Sequence, residues 1–272
     1  MGNYQSYKLK FYKSKSLILN WYWIVAAIAI VLLTSCSNTV SRNIHLKYGN
    51  PSQAGSQLNN YLIERPEYAL SYNCSEGIAN WASWELDRSW LGKSDRQDDF
   101  RPDLELPEGC YAARANDYRG SGYDRGHLVP SGDRTRRQND NSATFIMSNI
   151  IPQAPENNRE VWRELEEHCR DLVFQGKQLY IVAGGSNIAN KIAKNKIAVQ
   201  KYNWKVILVL QQSQNDVTVD NAETIAVWIP NDRTVRLTDW EDYLVSVDAV
   251  EKRTGYDFFS LLPKRIQRQI EQ

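Results

Sequence analysis

Within Tyr123-Asp124-Arg125-Gly126-His127-Leu128-Val129-Pro130, four consecutive residues are an acid, a guanidinium, a glycine and an imidazole. An imidazole titrates near pH 6.5, so His127 can take a proton from water at neutral pH. Arg125 and the run Arg134, Arg136 and Arg137 supply planar guanidinium forks that suit phosphate oxygens. Gly126 allows the backbone to come close to a ligand or partner. A lone histidine is more often structural than catalytic. Of the chain's 3 histidines, His45, His127 and His168, only His127 has this company.

A second stretch, Ser148-Asn149-Ile150-Ile151-Pro152-Gln153, runs through Asn157-Asn158-Arg159 into a helix predicted over 156–175. At about 100° per residue from Asn158, the residues Val161, Trp162, Leu165, Cys169, Leu172 and Val173 fall within about ±60° and form a buried stripe. Glu166 falls near ~80° and Arg170 near ~120° on one flank, and His168 near ~−80° on the other. Asn158, Glu166 and Arg170 can therefore border one cleft that His168 does not reach. By helix geometry alone, Glu166 and Arg170 also read as an ordinary i,i+4 surface pair worth a few tenths of a kcal/mol.

The elements that must position these groups are legible in outline. Strands are expected at 67–73, 78–86, 144–148, 179–184, 204–210 and 223–229, each rich in aromatic or β-branched residues. The last two are near-continuous apolar runs, as in central strands covered on both faces. Helices are expected at 156–175, at 246–254 ending before Gly255, and at 263–271 opening on Pro263. A central sheet with helices packed on it follows.

The chain has 272 residues, with 33 Lys+Arg against 32 Asp+Glu and nine Trp. That composition excludes a disordered tail or a bulk polycation. Residues 1–36 hold four Lys and no acid, which leaves 29 basic against 32 acidic residues for the rest. Any anion binding must come from a local cluster. Lys8, Lys10, Lys13 and Lys15 precede the apolar run Trp21 to Leu33, the length of a signal segment, and Leu33-Thr34-Ser35-Cys36 resembles a bacterial lipobox with Cys36 as the lipidated residue. A retained anchor helix or ordinary secretory cleavage are the alternatives; all three export the domain to the envelope or beyond. The expected organisation is an export segment at 1–36, a tether and lead-in at 37–60 and one domain at 61–272. A bridge between Cys74 and Cys110 would close a loop of about 36 residues, with Cys169 left as a buried thiol on the helix. One sequence leaves that pairing open.

Taken in order and at this spacing, Asp124-Arg125-Gly126-His127, Ser148 to Gln153 and Asn157-Asn158-Arg159 with Glu166 and Arg170 resemble the DNA/RNA non-specific endonucleases. The similarity covers about Leu46 to Ile270 and is strongest to cyanobacterial members, which also single out Arg96. The resemblance implies an α+β, ββα-metal (His-Me finger) fold with a central antiparallel or mixed sheet. It implies a metal-dependent endonuclease that cuts DNA and RNA and leaves 5′-phosphate ends. His127 would be the general base, Asn158 the direct ligand of Mg²⁺ or Mn²⁺, and Glu166 the holder of water on that metal. Asn149 would position His127 or the cleft wall. Arg96, Arg125 and Arg170 would meet the charge of the transition state, and Asp124 would fix the His-bearing turn. DNA and RNA would be held mainly through phosphates. An inhibitor protein is a partner such families have, though no residue here points to one. The competing readings are a phosphodiesterase of the same fold acting on small diesters, and a non-catalytic envelope lipoprotein.

Overall fold

Eight strands make one antiparallel sheet in the order β1 (Ser56–Gln57), β2 (Asn60–Glu64), β3 (Ala69–Asn73), β4 (Ile78–Leu86), β7 (Lys177–Ile192), β8 (Ile197–Gln211), β9 (Ala222–Pro230) and β10 (Leu244–Val245). The other two strands, β5 (Asp124–His127) and β6 (Ile150–Gln153), form a separate antiparallel pair. This computed structural model describes residues 1–2, 43–211 and 217–272. The expected export segment, Cys36 and the first part of the tether lie outside the described residues.

Strand β8 shows why the sheet is central. Ile207 and Val209 face one hydrophobic core, and Trp204, Val206, Leu208 and Leu210 face another. The apolar run expected at 204–210 is thus an alternating pattern with both faces covered. The first core takes the β5–β6 pair and helix α2 (Trp162–Phe174), through Leu128, Val129, Ile150, Trp162, Leu165 and Val173. The second takes α3 (Val247–Thr254) and α4 (Lys264–Ile270). The Ser246 hydroxyl accepts from the Ala249 N–H at the start of α3, and Gly255 ends it at φ 75°, in the left-handed region that glycine adopts at least cost. A short helix α1 (Gln138–Ala143) precedes β6.

Residues from Asn43 onward are already packed into the domain. The 3₁₀ turn Ile44–Leu46 buries His45, whose Nδ1 accepts from the Glu85 N–H while Nε2 donates to the Pro66 carbonyl. Cys74, just after β3, is disulfide-bonded to Cys110, and Cys169 is a buried free thiol.

Two expectations need correction. The segment 144–148 is not a strand; Met147–Asn149 is a 3₁₀ turn and β6 begins at Ile150. There the Asn149 side chain takes the backbone hydrogen bonds that a ladder would otherwise make. Strand β5 was not expected at all, because Asp-Arg-Gly-His has no apolar alternation to reveal it.

Candidate active site

Strands β5 and β6 pair with His127 opposite Ile150 and Asp124 opposite Gln153. Gly126 is needed here for an internal reason: a Cβ would strike the side chain of Gln153. The close approach expected at Gly126 is therefore to a neighbouring strand rather than to a ligand. The pair is fixed to the large sheet by buried amides. Asn231 receives the Ala154 N–H and donates to the carbonyls of Pro152 and Gln200, and Asn203 accepts from Asn157.

His127 stands at the end of β5, 8% exposed, with its ring edge-on to Phe145 at 4.9 Å. Burial first, then the charges of Arg96 and Arg125, push its pKa down to about 3. Its Nε2 is buried and has no hydrogen-bond partner among the described residues. A neutral imidazole with an unused ring nitrogen is a base awaiting a proton. Asn149 lies beneath it, fully buried. Its Nδ2 donates to the carbonyls of Val129 and Thr144, and its Oδ1 accepts from the Val129 N–H. Its side-chain polar atoms are spent on Val129, two residues past His127, and on Thr144, so the amide ties the segment after His127 to the turn before β6.

Asn158 sits in a π-turn, Asn157–Val161, at the head of α2. An i→i+5 turn advances by a smaller angle per residue than an α-helix. Asn158 therefore falls nearer the face of Glu166 and Arg170 than an unbroken helix would place it, and farther from His168, whose ring packs on Trp240. The Asn158 Nδ2 donates to Asp124 Oδ2 at 2.9 Å, while Arg159 grips both oxygens of Asp124 at 2.7 Å. Burial pushes the Asp124 carboxyl upward, but the bonds from Arg159 and Asn158 outweigh it and hold it below the ordinary range. Asp124, the first residue of β5, thus holds the Asn158 amide and ties the His-bearing strand to the head of α2. Asn158 Oδ1 has no partner among the described residues.

Glu166 and Arg170 are not a surface pair. Arg170 donates to the buried Asp133 at 3.0 Å and lies flat against Gly132, and Asp133 also accepts from the Trp84 indole. Glu166 has Lys205 of β8 as its counter-charge at 4.0 Å. Lys205 is 1% exposed, has no hydrogen-bond partner among the described residues, and holds its ammonium 4.2 Å from the Trp162 ring. Burial raises the Glu166 carboxyl to about 7, against the opposing pull of Lys205.

These groups meet in one hollow of about 400 Å³, lined by Arg96, Arg125, His127, Asn158, Glu166 and Arg170 together with Ser131, Arg159 and Arg163. An adjoining hollow shares Arg96, Arg125 and Asn158 and extends along Tyr123 and Arg119. Arg96 is held by Asp98 and the Ser131 hydroxyl, and Arg125 stacks on Phe100 at 4.0 Å. The run from Arg134 does not contribute as expected. Arg134 is fully buried and bonded to the carbonyls of Glu67 and Glu85, and Arg136 is paired with Asp140.

Residues 45–265 match the family model for DNA/RNA non-specific endonucleases. The chain belongs to the DNA/RNA non-specific endonucleases. It is 49% identical over 244 residues to a nuclease from Nostoc, covering 88% of each chain. It is 28% identical over 221 residues to the mitochondrial endonuclease G of Caenorhabditis elegans, 75% of this chain and 70% of that one. A crystal structure of an EndoG/EndoGI complex matches 84% of this chain and 95% of its own at TM-score 0.71 and 25% identity. The fold is accordingly the ββα-metal nuclease fold, with β5, β6 and α2 as its ββα unit, and the protein is a nuclease that hydrolyses phosphodiester bonds of DNA and RNA.

In this nuclease, sequence reasoning missed Lys205, Asp133 and Arg163, and named Arg159 without giving it a role. Lys205 was the most traceable: a lysine inside Trp204 to Leu210 interrupts an otherwise apolar strand, and a buried lysine needs a partner. Asp133 reaches the site only through tertiary contacts, whereas Arg159 and Arg163 lie on the same helical segment as Asn158 and Glu166.

Proposed function

We propose that this nuclease cleaves by attack of water in line with the 3′ oxygen, with His127 as general base. The observation that carries this reading is the buried, unpartnered Nε2 of His127 in a hollow it shares with Asn158, Glu166 and three arginines. Its pKa is pushed down to about 3 by burial first and by the charges of Arg96 and Arg125 second. A phosphate anion between Arg96 and Arg125 offsets their charge and raises the basicity of His127 where it is needed. The water proton passes to Nε2, the new P–O bond forms, and the bond to the 3′ oxygen breaks. The leaving 3′ oxygen takes a proton from solvent, so the products are a 5′-phosphate and a 3′-hydroxyl. Arg96, Arg125 and Arg170 hold the phosphate oxygens and meet their developing charge.

The family is dependent on a divalent metal, and the residues fit Mg²⁺ or Mn²⁺. Asp124 fixes the Asn158 amide by its nitrogen, so the hard oxygen Oδ1 is the atom left to ligate, and Glu166 lines the same hollow as a carboxylate able to hold the ion's hydration. When bound, such a cation supplies positive charge for the leaving 3′ oxygen. We further infer that residues 1–36 export the domain and that Cys36 carries a lipid, on the strength of the basic start, the apolar run and Leu33-Thr34-Ser35-Cys36. The mass of the mature amino terminus in wild type and Cys36→Ser tests the anchor. Cleavage of DNA and RNA by His127→Ala and Asn158→Ala tests the site; near wild-type turnover by His127→Ala would sink the mechanism.

A further inference from the structure

On the face of the sheet away from the cleft, α3 and α4 cover the second core through Val247, Val250, Ile266 and Ile270. Asp248 and Glu251 are three residues apart on α3 and so share a side of it. The chain leaving α4 returns to this side, where the Asp248 N–H donates to the Glu271 carbonyl at 3.0 Å. That contact brings in a third carboxylate. One oxygen from each of Asp248, Glu251 and Glu271 lies within 4.8 Å of the others. No other His, Cys, Asp or Glu trio among the described residues converges so closely.

Glu271 makes this more than a cluster of surface acids. It is 5% exposed, and its Oε1 is buried with no donor among the described residues. Burial, then the charges of Glu251 and Asp248, push its carboxyl up to about 7, with Asp257 adding to the rise and Lys264 opposing it. Lys264 does not close the trio, because its ammonium is given to Gln267 Oε1 at 2.8 Å and Asp257 at 3.8 Å. Glu251 spends one oxygen on the Phe258 N–H at 2.7 Å and keeps the other. An unpaired carboxylate away from water is costly unless a positive charge meets it.

We propose that Asp248, Glu251 and Glu271 bind a calcium ion that clasps the end of α4 to α3. Three carboxylates offer hard oxygen ligands from two separate elements, an irregular set that suits Ca²⁺, which accepts six to eight oxygens in flexible geometry. Mg²⁺ demands a near-ideal octahedron and keeps its waters, which fits the single amide oxygen of the cleft better. A site assembled from distant segments falls in the affinity range of extracellular calcium modules, a Kd on the order of 10⁻⁴–10⁻³ M. Its effect is on stability, since the helices it joins seal the second core and none of its residues lines the catalytic hollow.

The test is calorimetric titration and thermal unfolding of the EDTA-stripped protein with CaCl₂. Binding at this site raises Tm by roughly 5–10 °C at a hundredfold excess of Ca²⁺ over Kd. Glu271→Gln and Asp248→Asn each lose that gain; Asp248 is exposed, so its variant folds whatever Glu271 contributes to packing. Asn158→Ala retains the gain, because the cleft is not its source. An unchanged wild-type Tm in Ca²⁺ overturns the proposal, as does a gain that survives both carboxylate variants or disappears in Asn158→Ala.

Discussion

Two histidines lie buried in this nuclease, and both have their pKa pushed down to about 3, chiefly by burial. At His45 both ring nitrogens are used, one by the Glu85 N–H and the other on the Pro66 carbonyl. At His127 the ring is caged by Phe100 and Phe145 while Nε2 has no hydrogen-bond partner among the described residues. Similar burial and the same depression thus accompany two different hydrogen-bonding states. A low pKa alone does not distinguish a base from a structural histidine; the unspent nitrogen on a charged hollow is what supports His127 as the proposed base.

The largest effect that could break this contrast is on turnover. His127→Ala is expected to lower kcat on DNA and RNA by roughly 10²–10⁴-fold, the span of a lost general base, with little change in far-UV circular dichroism. His45→Ala is expected to leave the activity of each folded molecule intact; a comparable loss in both variants would erase the distinction. Next, Asn158→Ala should cost on the order of 10²–10³-fold in kcat and weaken Mg²⁺ binding by titration. Asp124→Asn should give a smaller loss of the same kind, because it leaves the Asn158 amide without the acceptor that orients it.

Lys205→Met should reduce turnover roughly 10–100-fold while the protein stays folded, as expected for a residue that acts through its neighbour. Lys205 holds the Glu166 carboxyl below where burial alone would put it. Its removal therefore moves the Glu166 titration upward from about 7, which carboxyl NMR of the metal-free protein can follow. An unmoved titration would reduce Lys205 to packing.

His45→Gln sharpens the comparison through stability. The unfolded chain protonates histidine near pH 6.5, and folded His45 only near 3. The stability that neutral His45 contributes is complete above pH 6.5 and is lost as pH falls toward 3. His45→Gln should flatten that part of the stability profile while lowering stability at pH 7 by about 1–3 kcal/mol. The smallest effect is that of salt. A residue 37–272 domain with 29 basic and 32 acidic side chains has no uniform positive field. Contacts with about three phosphates give a log–log salt slope near −3, and a slope near −10 would mean that binding reaches far beyond Arg96, Arg125 and Arg170.

Much of the site could be read from residue types. Asp124 to His127, the Asn-rich start of α2, and Glu166 with Arg170 on one flank all show in the sequence, because a helix repeats every 3.6 residues and fixes which side chains share a face. The strands at 78–86, 204–210 and 223–229 show for the same local reason, that apolar and β-branched runs seek a pleated, covered surface. Hidden from that reading were β5, whose four residues carry no hydrophobic period, and the turn at Met147–Asn149, which side-chain bonds rather than propensity create.

The sequence by itself determined the chemical inventory: one histidine set among guanidinium groups, an amide at a helix start, and a domain without excess positive charge. Only the tertiary structure decided how each group is spent. It buried Arg134 against backbone carbonyls, left Asn158 Oδ1 and His127 Nε2 without partners among the described residues, set Lys205 behind Glu166 and drew Glu271 toward Asp248 and Glu251. The physical reason is that partnership and desolvation come from segments distant along the chain. They determine which polar group is satisfied and which remains available for chemistry.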